Sequence, residues 1–183
     1  MLLKVLFAGP VSAGKTSAIA SVSDSPVRTT EARASNDTAR LKPLTTIAMD
    51  YGTLAVDDEI TIQLVGTPGQ YRFKFMWEIL SRGAVGVVIL VDLSSPDPLD
   101  DLDRYLDAFP SLIDQPGCAC VIGATHGDQA TPRSMQPLHD HLQKRALRLP
   151  LMEVDARERV QVRTLLLTMA AMLNLRTHRT SAT

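Results

Sequence analysis

Eight consecutive residues near the start, Gly9-Pro10-Val11-Ser12-Ala13-Gly14-Lys15-Thr16, narrow the possible folds more than any other part of the chain. They satisfy G-x-x-x-x-G-K-[ST] without a mismatch, and the glycines of that pattern let backbone N–H groups curl around a polyphosphate. The pattern carries meaning between a strand and a helix, and both are legible here. Leu2-Leu3-Lys4-Val5-Leu6-Phe7 reads as a short buried strand, and Thr16-Ser17-Ala18-Ile19-Ala20 opens a helix. A helix N-terminus at this point adds partial positive charge to the phosphate site. Gly9, Ser12, Ala13, Gly14, Lys15, Thr16 and Ser17 are therefore the expected phosphate-lining residues. Lys15 is expected on the β- and γ-phosphates and the Thr16 hydroxyl on the accompanying Mg²⁺. The chain is expected to bind a nucleoside triphosphate.

Downstream, strands alternate with helices. Ser21 to Lys42 is polar and irregular, with Pro26 and Pro43 near its borders, and reads as a long functional loop placed to cover the phosphates. Thr45–Val56 and Ile60–Val65 read as a hairpin about the turn Asp57-Asp58-Glu59, and a helical stretch follows from Phe73 to Arg82. Ala84–Val91 is a continuous apolar run suited to a central parallel strand. Asp97–Phe109, Ser134–Leu147 and Gln161–Leu173 read as helices, with strands at Cys118–Ala124 and Leu151–Val154 between them. This order predicts a three-layer α/β domain over residues 1–175, with a tail from Arg176 to Thr183 expected to be disordered. Its sheet is expected to be six-stranded and mostly parallel, with one antiparallel edge strand and helices on both faces.

Charge and composition remove several functions. With a net charge of −1, no strong field draws the chain to nucleic acid or an anionic membrane. The first strand begins at the N-terminus, no apolar run is long enough to span a bilayer, and neither end carries a lipidation signal, so a cytoplasmic protein without a membrane anchor is expected. Cys118 and Cys120 lie two apart in a strand and share a face, as core packing requires. His139 and His141, two apart on a helix, diverge and do not read as a metal pair. Asp97, Asp100, Asp101 and Asp103 crowd the first turns of a helix, where they read as a solvated face favoured by the helix dipole.

A second group of residues bears on chemistry. Gly66-Thr67-Pro68-Gly69-Gln70 leaves a strand at the same sheet edge as the phosphate loop. A glycine there, Gly69, can bring a backbone N–H to a γ-phosphate, and Gln70 can orient a water for in-line attack. Thr46, after the polar loop, offers a second hydroxyl to Mg²⁺. Gln70, Lys15 and Thr46 are thus the candidate catalytic residues, and Thr16 and Thr46 the candidate metal ligands.

With these motifs the chain resembles the small GTPases of the Ras-like superfamily over nearly its whole length. Gly-Thr-Pro-Gly-Gln in place of Asp-Thr-Ala-Gly-Gln is similar to the bacterial branch related to gliding-motility and cell-polarity GTPases. Thr45-Thr46-Ile47-Ala48-Met49-Asp50-Tyr51 resembles the end of the first switch and the strand behind it, and Gln70-Tyr71-Arg72-Phe73 the start of the second. The resemblance implies GTP and GDP as ligands, Mg²⁺ as cofactor, slow hydrolysis with a change of conformation, and a small roadblock-fold partner as activator. It also implies a base-reading set of Thr125, His126 and Asp128, from Thr125-His126-Gly127-Asp128, with Asp155-Ala156-Arg157 in place of Ser-Ala-Lys. Gly66 stands where most relatives hold Mg²⁺ through an Asp, so the metal is held more weakly or by another carboxylate. Val11 stands at a position that is often Gly. Arg28, Arg33 and Arg40 in the polar loop are candidates for a charge-stabilising arginine in cis.

Four of the eight aromatic residues fall between Tyr71 and Trp77. On a helix Tyr71 and Phe75 share one face and Phe73 and Trp77 another, so a single buried stripe cannot hold all four. Either one pair is core and the other packs on a neighbouring loop, or the cluster is a nucleotide-dependent partner surface. Two other functions remain open on these residues: a nucleotide-binding scaffold with little hydrolysis, and a P-loop kinase acting on a small metabolite.

Overall fold

The computed structural model describes residues 1–33, 46–130 and 135–180, with the side chains of 30–33, 46–48 and 175–180 outside the description. Seven strands form one sheet in the order β2-β3-β4-β1-β5-β6-β7. They are β1 (Leu2–Ala8), β2 (Arg28–Arg33), β3 (Thr46–Ala55), β4 (Thr61–Gly66), β5 (Gly86–Asp92), β6 (Ala119–Thr125) and β7 (Leu151–Glu153). From β4 to β7 every pairing is parallel, while β3 runs antiparallel to both its neighbours. Helices α1 (Lys15–Val22), α2 (Lys74–Ser81), α3 (Pro98–Ala108), α4 (Pro110–Asp114), α5 (Gln136–Lys144) and α6 (Arg159–Thr180) surround it.

The strand pleat sorts the core into two layers. Leu6 and Ala8 of β1 join α2, α3, α4 and α5 on one face, with Trp77, Tyr105, Phe109 and Leu138 buried there. Val5 and Phe7 join α1 and α6 on the other, over Ile19, Val162 and Leu165. Cys120 is buried in the first layer and Cys118 packs against it, on the shared face expected of residues two apart.

The sheet has one strand more than the six expected. The addition is β2, inside the segment read as irregular from Ser21 to Lys42, and it displaces β3 from the edge. Arg28-Thr29-Thr30-Glu31-Ala32-Arg33 has almost no apolar content because an edge strand can take its stability from backbone pairing with β3. Residues 34–42 of that segment lie outside the described residues. Helix α4 was likewise unforeseen, and α6 continues to Thr180, beyond the Leu173 expected as its end. The acidic group on α3 is more than a solvated face. Asp97 caps the helix by accepting from the Asp100 N–H at 3.0 Å. Asp103 accepts from His141 Nε2 at 2.8 Å and pairs with Arg145, tying α3 to α5. Among the described residues, no helix is long and apolar enough to cross a membrane.

Candidate functional site

The site lies where the C-terminal ends of β1, β4, β5 and β6 open onto loops. Between β1 and α1 the phosphate loop turns back on itself: Gly14 has φ 88° and caps α1 without a side chain. That conformation strains any residue with a Cβ, and an added Cβ would lie 2.8 Å from Ala156 Cβ. Lys15 is folded inward, donating from Nζ to Gly9 O at 2.9 Å and Pro10 O at 2.6 Å. Burial lowers its pKa from 10.5 to about 8, with Asp50 opposing the shift.

Asp50 was not among the expected site residues. It projects from β3, accepts from Thr16 Oγ1 through Oδ2 at 2.5 Å and from Thr29 Oγ1 through Oδ1 at 2.9 Å. In the β3–β4 register Tyr51 lies opposite Val65, which sets Asp50 across from Gly66. A Cβ on Gly66 would stand 3.2 Å from Asp50 Cβ and 3.4 Å from its Oδ2. The carboxylate thus fills the space that a side chain at 66 would claim. Only the cross-strand register reveals this, since the two residues are sixteen apart in sequence.

Thr16 and Asp50 offer a hydroxyl and a carboxylate side by side, hard oxygen donors of the kind Mg²⁺ prefers. Because the Thr16 hydroxyl gives its hydrogen to Asp50, its lone pairs are left for a cation. The Thr46 side chain lies outside the described residues. Thr46 opens β3, paired with Arg33, four residues and roughly 13 Å of extended chain from Asp50. Of the three arginine candidates, Arg28 is exposed on β2, the Arg33 side chain lies outside the description, and so does Arg40.

The loop after β4 lies directly on the phosphate loop. A Cβ on Gly69 would come 2.6 Å from Val11 N and 2.9 Å from Lys15 Nζ, so only glycine permits this approach. Gln70 follows, exposed, at the start of a 3-10 turn over Tyr71–Phe73. The aromatic cluster divides as the helical pairing predicts: Trp77 and Phe73 are 2% and 8% exposed, whereas Tyr71 and Phe75 are 54% and 49% exposed.

A cleft of about 490 Å³ adjoins the phosphate loop, lined by Gly14, Ser17, Thr125, His126, Asp128, Asp155, Ala156 and Arg157. Thr125 is buried and ties three segments together, its Oγ1 lying 3.1 Å from Ala13 O and 3.2 Å from Val91 O. His126, at φ 57°, has Nδ1 3.1 Å from Asp92 Oδ1. The Arg157 guanidinium grips Asp155 at 2.7–3.2 Å through two nitrogens, and these bonds hold the Asp155 carboxyl at about 2. Asp128 stands exposed at the mouth. Among the described residues no three His, Cys, Asp or Glu side chains gather as a metal cluster.

A strand–loop–helix phosphate cradle under a mostly parallel sheet, with a nucleotide-sized cleft alongside, defines a P-loop nucleotide-binding domain. Residues 27–175 match the family described as conserved hypothetical ATP binding protein, and the chain belongs to that family. It is also similar to the Ras-related protein Rab-1C of Dictyostelium discoideum, 27% identical over 164 residues, 86% of this chain and 74% of that protein. The GTP-binding protein YPTM1 of Zea mays is 24% identical over 131 residues, 70% of this chain and 62% of that protein. The Ras-related protein Rab7 of Drosophila melanogaster is 32% identical over 111 residues, 59% of this chain and 48% of that protein. The chain thus spans about three quarters of the first of these and less than two thirds of the other two.

Proposed function

We propose that the chain is a guanine-nucleotide switch that binds GTP or GDP with Mg²⁺ and hydrolyses GTP slowly. The observation that carries this reading is the meeting of three loops: Gly69 rests on Val11 and Lys15, and Gly14 shares a cleft with Asp128 and Ala156. In this reading Lys15 and the backbone of Gly9–Ser17 hold the phosphates, Thr16 and Asp50 hold the cation, and Asp128 and Ala156 N–H read the base. The bound Mg²⁺ would supply charge neutralisation at the phosphates.

The family description names ATP and several relatives are named for GTP, which makes base choice the experiment of first importance. An Asp128 carboxylate accepts from both the ring N–H and the exocyclic amine of guanine, whereas adenine presents a lone pair to it. Charged hydrogen bonds contribute about 1.5–3 kcal/mol each. GTP should therefore bind at least roughly tenfold more tightly than ATP, about 1.4 kcal/mol. Asp128→Asn should move the preference toward xanthine nucleotides. Equal calorimetric affinities of the parent for ATP and GTP would remove the guanine assignment and leave a P-loop nucleotide-binding protein without base selectivity.

In this reading Gln70 orients the attacking water, and Arg28 is the one candidate arginine whose side chain is described. An arginine supplied by an activator would raise the rate roughly 10³–10⁵-fold, which is the role we assign to a roadblock-type partner. Single-turnover hydrolysis by Gln70→Ala should be slower than the parent, because the attacking water loses the group that orients it. Unchanged turnover would mean that Gln70 has no catalytic part.

A further inference from the structure

The loop that carries Gly69 and Gln70 is gripped from behind by two aromatic side chains that no role above uses. Trp77 of α2 donates from Nε1 to Pro68 O at 2.7 Å, and Tyr105 of α3 donates from Oη to Gly69 O at 3.1 Å. The two rings lie 4.6 Å apart at 34° and are 2% and 3% exposed. Phe109 stands a further ring away, 6.3 Å from Trp77. Burial raises the Tyr105 pKa well above its usual value, so the phenol stays a neutral donor. Upstream, Thr67 Oγ1 is buried without a hydrogen-bond partner among the described residues. The loop is therefore held by its carbonyls rather than by this side chain.

Planarity turns these two bonds into an aiming device. In a trans peptide the N–H points opposite to the C=O of the same unit. Fixing Pro68 O against Trp77 turns the Gly69 N–H away from the α2–α3 layer, and fixing Gly69 O against Tyr105 does the same for the Gln70 N–H. The opposite side is the phosphate loop, on which Gly69 already rests. We propose that Trp77 and Tyr105 are positioning residues that aim the Gly69 and Gln70 N–H groups at the terminal phosphate of a bound triphosphate. The proposal rests on the triphosphate reading above.

A diphosphate lacks the group these N–H donors would meet, so the signature is a change in discrimination rather than in overall affinity. Tyr105→Phe removes one hydroxyl and keeps the ring. A neutral hydrogen bond contributes about 0.5–1.5 kcal/mol, so the ratio of affinities for a non-hydrolysable GTP analogue over GDP should fall about twofold to tenfold. Single-turnover hydrolysis should fall with it. Trp77→Phe, which removes the indole donor, should act in the same direction and decides the matter if Tyr105→Phe does not fold. Trp77 is the only tryptophan in the chain, so its fluorescence reports the clamp directly and should respond to the analogue differently in Tyr105→Phe. Equal losses for both nucleotides, or parent-like ratios in both variants, would overturn the clamp while leaving the triphosphate reading standing. A parent that binds neither nucleotide would overturn that reading, and the clamp with it.

Discussion

Lys15→Ala is expected to weaken triphosphate binding by about a hundredfold or more while leaving the nucleotide-free fold intact. The phosphate loop itself fixes the ammonium in place, 2.6–2.9 Å from the Gly9 and Pro10 carbonyls. Charge-assisted hydrogen bonds contribute about 1.5–3 kcal/mol each, and Lys15 would make one to each of two phosphates. The empty fold loses little, because an ammonium whose pKa is depressed by burial is held there at a cost. Calorimetry showing parent-like affinity in Lys15→Ala would remove the phosphate-cradle assignment.

The same residue sets a pH dependence whose sign can be worked out. The folded pKa of Lys15 lies near 8, below its ordinary 10.5, so between those values the empty folded protein binds fewer protons than the unfolded chain. This group therefore opposes folding below about pH 8, and the opposition fades as pH rises toward 10.5. Phosphate charge acts the other way, restoring the proton. Nucleotide binding above pH 8 should take up a proton, and affinity should fall by as much as about tenfold per pH unit. Calorimetry in two buffers of different ionisation enthalpy measures the uptake directly, and Lys15→Ala should abolish it.

Asp50→Asn is expected to produce effects of opposite sign with and without Mg²⁺. Asp50 orients the Thr16 hydroxyl at 2.5 Å and occupies the space facing Gly66. Residues that orient metal ligands contribute about tenfold to a hundredfold in metal affinity. With Mg²⁺ present, the variant should need about ten times more of it for half-maximal nucleotide binding. With a chelator present, the variant should bind nucleotide more tightly than the parent, since a carboxylate beside a polyphosphate repels it. Because Asp50 raises the Lys15 pKa, the alkaline fall in affinity should also begin at lower pH in Asp50→Asn. A parent-like Mg²⁺ requirement would show that another group holds the cation.

Much of the candidate site was legible because its chemistry is local in sequence. Gly9 to Thr16 carries the phosphate loop in one stretch, and Gly66 to Gln70 carries the second loop in another. The strand and helix patterns flanking them are equally local, so β1, β5, β6 and α3 fall within a residue or two of their expected bounds. The split of Tyr71 and Phe75 from Phe73 and Trp77 followed from helical periodicity, but which pair is buried did not. That choice depends on Tyr105 of α3 and Phe109 just beyond it, against which Trp77 stacks, and on Met49 of β3, against which Phe73 packs. β2 escaped notice because an edge strand of Arg, Thr and Glu has no apolar alternation to betray it.

The sequence by itself determined the nucleotide-binding class, the order of the strands and helices other than β2 and α4, and the residues that line the glycine loop and the adjoining cleft. Tertiary structure decided which groups complete them. Asp50 meets Thr16 because antiparallel pairing of β3 with β4 sets it across from Gly66. Tyr105 meets Gly69 because α3 packs beside α2 on one face of the sheet. Motifs record contacts made along the chain, whereas a side chain that reaches its partner across a strand register or a helix packing leaves no spacing in the sequence to read.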